Sequence, residues 1–228
     1  MTGYIETIFG PMFSGKSTEL QKKIRRFRIA NKRCLVINFS QDNRYSSEDV
    51  AVTHDFNKID AKKLNSLGQL TDLDINSHDV IGVDEGQFFP DLVDYADKWA
   101  NQGKIVVISA LDSTFERKPF GRICELVAIS EYIHKLSAVC INCGEHAMNT
   151  KRMIDSTDLV LVGGAEIYKP VCRKCFNQPA STIQVNAKLE ANVNDIDTDI
   201  SGNEQNNNLT KSESSLEDTK TKVEEDPN

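Results

Sequence analysis

The octapeptide Gly10-Pro11-Met12-Phe13-Ser14-Gly15-Lys16-Ser17 fits G-x-x-x-x-G-K-S, the pattern of a loop that wraps a phosphate. It constrains the fold strongly, because such a loop works only between a strand and a helix. Glycine lets the backbone close around the anion, while successive amides and the helix N-terminus face it. Both flanks are present. Tyr4–Phe9 is a β-prone run, and Ser17 to Ala30 carries Leu20, Ile24 and Phe27 at helical spacing. In that setting Lys16 brings a mobile positive charge to the β- and γ-phosphates, and the Ser17 hydroxyl is placed for Mg2+. Met12 and Phe13 are bulky and apolar. They either pack beneath the loop or line a neighbouring apolar pocket, and the sequence leaves both readings open.

The rest of the body repeats the alternation. Cys34–Phe39, Asp79–Asp84 and Lys104–Leu111 are nearly continuous apolar runs, as expected of strands buried on both faces. Between them, the polar stretch from Gln41 to His54 reads as a loop and Ala61 to Leu70 as a helix. Pro90 opens a further helix reaching about Asn101. Strands alternating with helices predict an α/β domain over residues 1–137, with a parallel sheet covered on both faces. The strand before Asp84-Glu85 ends in two acids. Asp84 at its tip can hold Mg2+ through water. Glu85 can serve as base for a water, giving an ATPase, or for a substrate hydroxyl, giving a kinase.

The pattern changes after Ile133. Cys140-Ile141-Asn142-Cys143 and Cys172-Arg173-Lys174-Cys175 are two C-x-x-C pairs, which together match a four-thiolate structural Zn2+ site. They pin the base of a long intervening stretch, so residues 138–178 form a second, smaller unit. His146 is surplus to that site, and Cys34 and Cys124 sit in apolar contexts that suit core thiols.

Charge separates a third region. From Ala187 onward the chain carries 11 acids against 4 bases and no aromatic residue, which accounts for the whole net charge of -7. A segment so poor in apolar groups cannot offset the entropy of ordering, so residues 187–228 read as a disordered acidic tail. The remainder is electrically neutral. No apolar run approaches the ~20 residues that span a bilayer. The N-terminus has neither the basic start nor the apolar run of a signal peptide. A membrane partner is therefore not expected, and a neutral body argues against a dedicated nucleic-acid coat.

The extended strings are more specific than any single motif. They are Gly10 to Leu20, Asp42-Asn43-Arg44-Tyr45-Ser46-Ser47, Asp84-Glu85-Gly86-Gln87-Phe88-Phe89-Pro90, Ala110 to Phe115, Arg117 to Gly121 and the two Cys pairs. Together they resemble the zinc-containing, tetrameric (type II) thymidine kinases, over about Gly3 to Pro179. The resemblance implies a RecA-like ATP-binding domain and a zinc-anchored lasso that closes over a nucleoside. It implies transfer of phosphate from ATP to thymidine, giving ADP and thymidine monophosphate for DNA synthesis.

By motif position, Glu85 would accept the 5′-hydroxyl proton. Gly10, Pro11, Met12, Phe13, Ser14, Gly15, Lys16 and Ser17, with Asp42, Asn43, Arg44, Asp84, Gly86 and Gln87, would hold ATP with Mg2+. Phe115, Leu159, Val160, Leu161, Val162, Gly163 and Tyr168 would enclose the nucleoside, with Met12, Leu111, Phe120 and Thr150 lining the base. Cys140, Cys143, Cys172 and Cys175 would hold zinc. A cytoplasmic homotetramer under feedback by thymidine triphosphate is the corresponding expectation.

Two other classes compete. A nucleic-acid-stimulated ATPase would use the basic run Lys22-Lys23-Ile24-Arg25-Arg26-Phe27-Arg28. Those bases are interleaved with core positions on a helix, which favours a solvated or subunit-facing surface. A nucleotide-holding module without chemistry is disfavoured by the intact set Lys16, Ser17, Asp84 and Glu85.

Overall fold

The computed structural model describes residues 2–40, 50–52, 58–156, 158, 161 and 163–183. Its centre is a six-stranded sheet of order β5-β2-β6-β7-β1-β8 with every pairing parallel. The strands are β1 (Tyr4–Phe9), β2 (Cys34–Phe39), β5 (Lys62–Leu64), β6 (Val80–Val83), β7 (Ile105–Ala110) and β8 (Tyr132–Lys135). Two short strands, β3 (Val50–Val52) and β4 (Lys58–Asp60), pair antiparallel; β3 falls inside the Gln41 to His54 stretch expected as a loop, and β4 follows it. Asp42, Asn43, Arg44 and the acidic tail lie outside the described residues.

Strand alternation sorts the core into two layers. On one face Ile8, Val36, Val80 and Val107 meet Leu20 and Ile24 of α1 (Lys16–Ile29). On the other, Ile5, Ile37, Ile81 and Ile108 meet Leu92, Ala96 and Trp99 of α3 (Leu92–Asn101) and Leu126 of α4 (Ile123–Ala128). Gly82 faces α1. A Cβ there would stand 3.0 Å from Ile24 Cδ1, so glycine sets how closely the helix approaches the sheet. The basic residues Lys22, Arg25, Arg26 and Arg28 lie on the exposed side of α1, while Ile24 is fully buried.

The helix expected over Ala61 to Leu70 does not form. Lys62–Leu64 instead pairs with β2 at the sheet edge, and Leu67–Gln69 makes one 3-10 turn. Backbone partners on β2 and burial of Leu64 and Leu67 outweigh local helix propensity. Asp91, which precedes α3, fixes the turn by accepting from the Ser66 hydroxyl at 2.7 Å and the Gly68 amide at 3.0 Å. Between the two lies the short α2 (Asp72–Asn76).

After β8 come two small antiparallel ribbons. The first pairs β9 (Ala138–Val139) with β10 (His146–Ala147). The second pairs β11 (Asn149–Arg152) with β12 (Tyr168–Val171) and leads into α5 (Arg173–Phe176). Ala138, Cys140, Ala147, Val171, Cys175 and Ile183 form their shared core. Cys34 is half-buried, but Cys124 is exposed, which corrects its reading as a core thiol. It occupies the solvent side of α4, whose inward positions are Ile123 and Leu126.

Candidate active site and metal centre

Parallel strands deliver all their C-terminal tips to one edge of the sheet, where open α/β folds place ligands. β1 ends there in Gly10, β6 in Asp84 and β7 in Leu111. Gly15 stands immediately before α1 with φ 77°, a left-handed conformation that suits glycine, so the helix amides begin directly at the loop. The Lys16 ammonium donates to the Pro11 carbonyl at 2.7 Å, and the Ser14 hydroxyl donates to the same carbonyl at 2.8 Å.

Asp84 sits 4 % exposed beneath this loop. Its Oδ1 accepts from the Ser17 hydroxyl at 3.1 Å, from the Glu85 amide at 3.0 Å and from the Ser109 hydroxyl. Burial, and then the neighbouring charge of Glu85, push its carboxyl up to about 6 against the opposing effect of those donors. Ser17 and Asp84 therefore present two hard oxygen donors side by side, a set that fits Mg2+.

Glu85 adopts φ 54°, ψ 40°, a left-handed conformation that a non-glycine residue holds only when its surroundings impose it. The imposing element is the next turn. Gln87 is buried, and its Oε1 accepts from the Leu111 amide at 2.8 Å. That fixes which way its side-chain amide faces, so its Nε2 donates to Glu85 Oε2 at 2.5 Å. The carboxylate is thus oriented by a relay that starts at the tip of β7.

Leu111 also belongs to an apolar cluster with Met12 and Tyr168, against which Phe13, Phe115, Phe120, Leu161 and Ile167 pack. The two openings left for Met12 and Phe13 resolve differently. Met12 joins this cluster, whereas Phe13 packs against both it and the small core around the cysteines. Thr150 on β11 is buried, and its hydroxyl oxygen accepts from the Met12 amide at 2.9 Å, tying the phosphate loop to the second ribbon.

Cys140, Cys143, Cys172 and Cys175 converge, with all four Sγ atoms within 4.8 Å of one another. Cys143 Sγ stands 3.7 Å from Cys172 Sγ and 3.8 Å from Cys175 Sγ. A tetrahedron with Zn–S bonds of about 2.3 Å has edges of about 3.8 Å, so the sulfurs fit zinc. The turn between the first pair is closed by the Gly144 amide donating to the Cys140 carbonyl at 2.8 Å. The Asn142 side-chain amide donates to Cys175 Sγ at 3.2 Å. Burial alone would raise the Cys140 thiol, but backbone amides of Cys172, Cys143 and Asn142 bring it down to about 7, whereas the Cys143 and Cys175 thiols in the same cluster are pushed up. His146 points away to the Ser137 hydroxyl at 3.0 Å.

A family model described as thymidine kinase matches residues 3–176. This chain belongs to the thymidine kinase family. It is 48% identical to Thymidine kinase 1 of Dictyostelium discoideum over 180 residues, covering 78% of this chain and 79% of that protein. It is 47% identical to the thymidine kinase of Vaccinia virus (strain Western Reserve) over 174 residues, covering 76% of this chain and 97% of the viral protein. With the thymidine kinase of Yaba monkey tumor virus it shares 49% identity over 175 residues, covering 77% of this chain and 95% of its relative.

For a thymidine kinase, the structure gathers the loop residues Gly10 to Ser17 with Asp84, Glu85, Gly86 and Gln87 at one sheet edge. It brings Phe115, Leu161 and Tyr168 together in the adjoining cluster. Gly163 follows in the same loop, where a Cβ would stand 2.2 Å from Ile167 Cδ1. Leu159, Val160 and Val162 lie outside the described residues. Sequence reading missed Ser109, Thr150 as a partner of the phosphate loop, and Arg152. Ser109 gives no motif signal, because its importance comes from β7 lying beside β6. Arg152 carries a faint one, since residues two apart in a strand share a face and Thr150 precedes it. Among the described residues, no helix is long and apolar enough to cross a membrane.

Proposed function

We infer that this member of the thymidine kinase family transfers the γ-phosphate of ATP to the 5′-hydroxyl of thymidine, giving ADP and thymidine monophosphate in nucleotide salvage. The observation that carries this reading is the relay Leu111–Gln87–Glu85. It joins an apolar, aromatic cluster suited to a flat methylated base directly to a carboxylate at the phosphate edge. Gly10 to Ser17 cradle the donor phosphates with their amides, and Lys16 leaves the Pro11 carbonyl to meet them. Ser17 and Asp84 would hold Mg2+, which would supply charge neutralisation to the donor phosphates. Glu85 accepts the 5′-hydroxyl proton as the nucleophile attacks. Gly86 and Gln87 complete that side; Asp42, Asn43 and Arg44, proposed for the same side, lie outside the described residues.

The base lies among Met12, Leu111, Phe120, Thr150, Phe115 and Tyr168. The amides of Gly164, Ile167 and Tyr168 are engaged inside the loop between β11 and β12. We assign recognition of the polar edge of the base to backbone of this loop. Feedback by thymidine triphosphate, a homotetramer and a cytoplasmic setting complete the proposal. The test is a kinase assay with thymidine, deoxycytidine and deoxyguanosine side by side, with ATP turnover measured with and without DNA. Phosphorylation of thymidine is expected. Turnover stimulated by DNA and indifferent to thymidine would instead identify a nucleic-acid ATPase.

Two further outcomes belong to this proposal. Folding raises the Asp84 carboxyl above its ordinary 3.8, so the folded state holds the extra proton until about pH 6. The free protein accordingly loses stability as pH rises through that window, and affinity for a cation at Asp84 grows through it. Titration calorimetry of Mg-ADP should show binding that strengthens from about pH 5 to 7, with Asp84→Asn abolishing the trend. A pH-independent affinity in the wild type would remove Asp84 from the metal site. The zinc assignment predicts about one zinc per chain, with Cys172→Ser raising the KM for thymidine more than that for ATP. Metal analysis finding no zinc in chelator-free protein would end it.

A further inference from the structure

Alternation along β11 sends Thr150 and Arg152 to one face and Lys151 to the other. Lys151 turns to the cysteine unit, where its ammonium donates to the Phe176 carbonyl at 2.9 Å and also to that of Gln178. Arg152 turns to the aromatic cluster and is buried, at 7 % exposure. Its Nη1 donates to the carbonyls of Ser156 at 3.1 Å and Asp158 at 2.6 Å. Its Nη2 donates to the Tyr168 hydroxyl at 3.0 Å, which in turn donates to the Leu161 carbonyl at 3.0 Å. Its Cζ lies 3.7 Å from the centroid of the Phe115 ring.

A buried guanidinium is costly to desolvate, and an apolar side chain of similar length would fill this place without that penalty. What the guanidinium supplies instead is reach. One planar group bonds irregular loop backbone at two carbonyls, fixes the tyrosine that bonds a third, and lies against an aromatic ring carried by a different loop. Lysine offers a point charge without the plane or the fork, so it cannot satisfy these contacts together.

We propose that Arg152 is a positioning residue of the acceptor site. It acts through Phe115, Tyr168 and the loop backbone, setting the walls against which the nucleoside binds. The proposal rests on the thymidine kinase reading above. Its consequence is selective, because its hydrogen bonds and ring contact go to loop backbone, Tyr168 and Phe115. Loss of its geometry therefore falls on recognition of thymidine ahead of recognition of ATP.

The test uses the full zinc-loaded chain and compares Arg152→Lys, Tyr168→Phe and the double variant in steady-state kinetics with each substrate varied. Arg152→Lys should raise the KM for thymidine about tenfold or more, as loss of charge-assisted bonds implies, and at least fivefold beyond any change in the KM for ATP. Tyr168→Phe keeps the ring and removes the hydroxyl. It should move the same ratio in the same direction by about threefold or more. The two should be non-additive, since both cut one chain of bonds. If Arg152→Lys does not fold, Tyr168→Phe decides alone. A merely structural role would lower the melting temperature and raise both KM values together, and that pattern would overturn the proposal. So would an active wild type whose variants leave the thymidine KM within about twofold. A wild type inactive on thymidine would overturn the underlying reading, and this inference with it.

Discussion

Glu85→Gln should bind ATP and thymidine nearly as well as the wild type and turn over on the order of 10²–10⁴ times more slowly, the usual worth of a general base. The substitution retains an oxygen that can accept from the Gln87 amide, now 2.5 Å from Glu85 Oε2, so the local bracket survives. It removes the site that takes the hydroxyl proton. The left-handed backbone at Glu85 reinforces the expectation, because strain of that kind is retained where surrounding contacts impose it, and here they aim a carboxylate. Single-turnover kinetics separate binding from chemistry. A rate within about twofold of wild type would assign the base elsewhere.

Thymidine should exceed deoxycytidine in kcat/KM by a factor on the order of 10²–10⁴. Thymine presents N3–H as donor and O4 as acceptor, and cytosine reverses both. Loop backbone cannot rotate to match, as an Asn or Gln side chain can. Two buried partners are then left unpaired at ~1–3 kcal/mol each, and about 1.4 kcal/mol corresponds to tenfold. Comparable values for the two nucleosides would sink backbone readout and point to a broad-specificity kinase.

Thr150 separates size from bonding within the same experiment. Thr150→Leu adds bulk and should weaken thymidine relative to deoxyuridine without admitting deoxycytidine. Thr150→Val nearly preserves shape but strips the acceptor from the Met12 amide, 2.9 Å away, so its larger effect should appear in the KM for ATP. Equal ATP constants for Thr150→Val and wild type would show that the bond does not matter to the donor loop.

Much of this was legible in the sequence wherever chemistry depends on neighbours along the chain. The phosphate loop needs only a strand, eight residues and a helix, and it lies between β1 and α1 as expected. Continuous apolar runs announced strands buried on both faces, and β2, β6 and β7 are those strands. Two C-x-x-C pairs announced a thiolate cluster because two knuckles are specific where one is not, and their sulfurs do converge. Local signals failed where a distant partner outbid them. Ala61 to Leu70 has helical composition, yet the free edge of β2 captured Lys62–Leu64. Cys124 sits between apolar neighbours, yet α4 turns it outward.

The α/β class, the loop for a phosphate, the acid pair at a strand tip and the four thiols are all written in short stretches of chain, since each is a short-range pattern with one physical use. How those parts act on one another depends on the folded arrangement. The Ser109 hydroxyl reaches Asp84 because β6 and β7 are neighbours in the sheet. Gln87 aims Glu85 because the tip of β7 offers it an amide. Thr150 meets the phosphate loop from 138 residues away. Arg152 lies against a ring from another loop. Hydrogen bonds and ring contacts act over a few ångströms, and chain positions so far apart come within that range only when the sheet and the ribbons have formed.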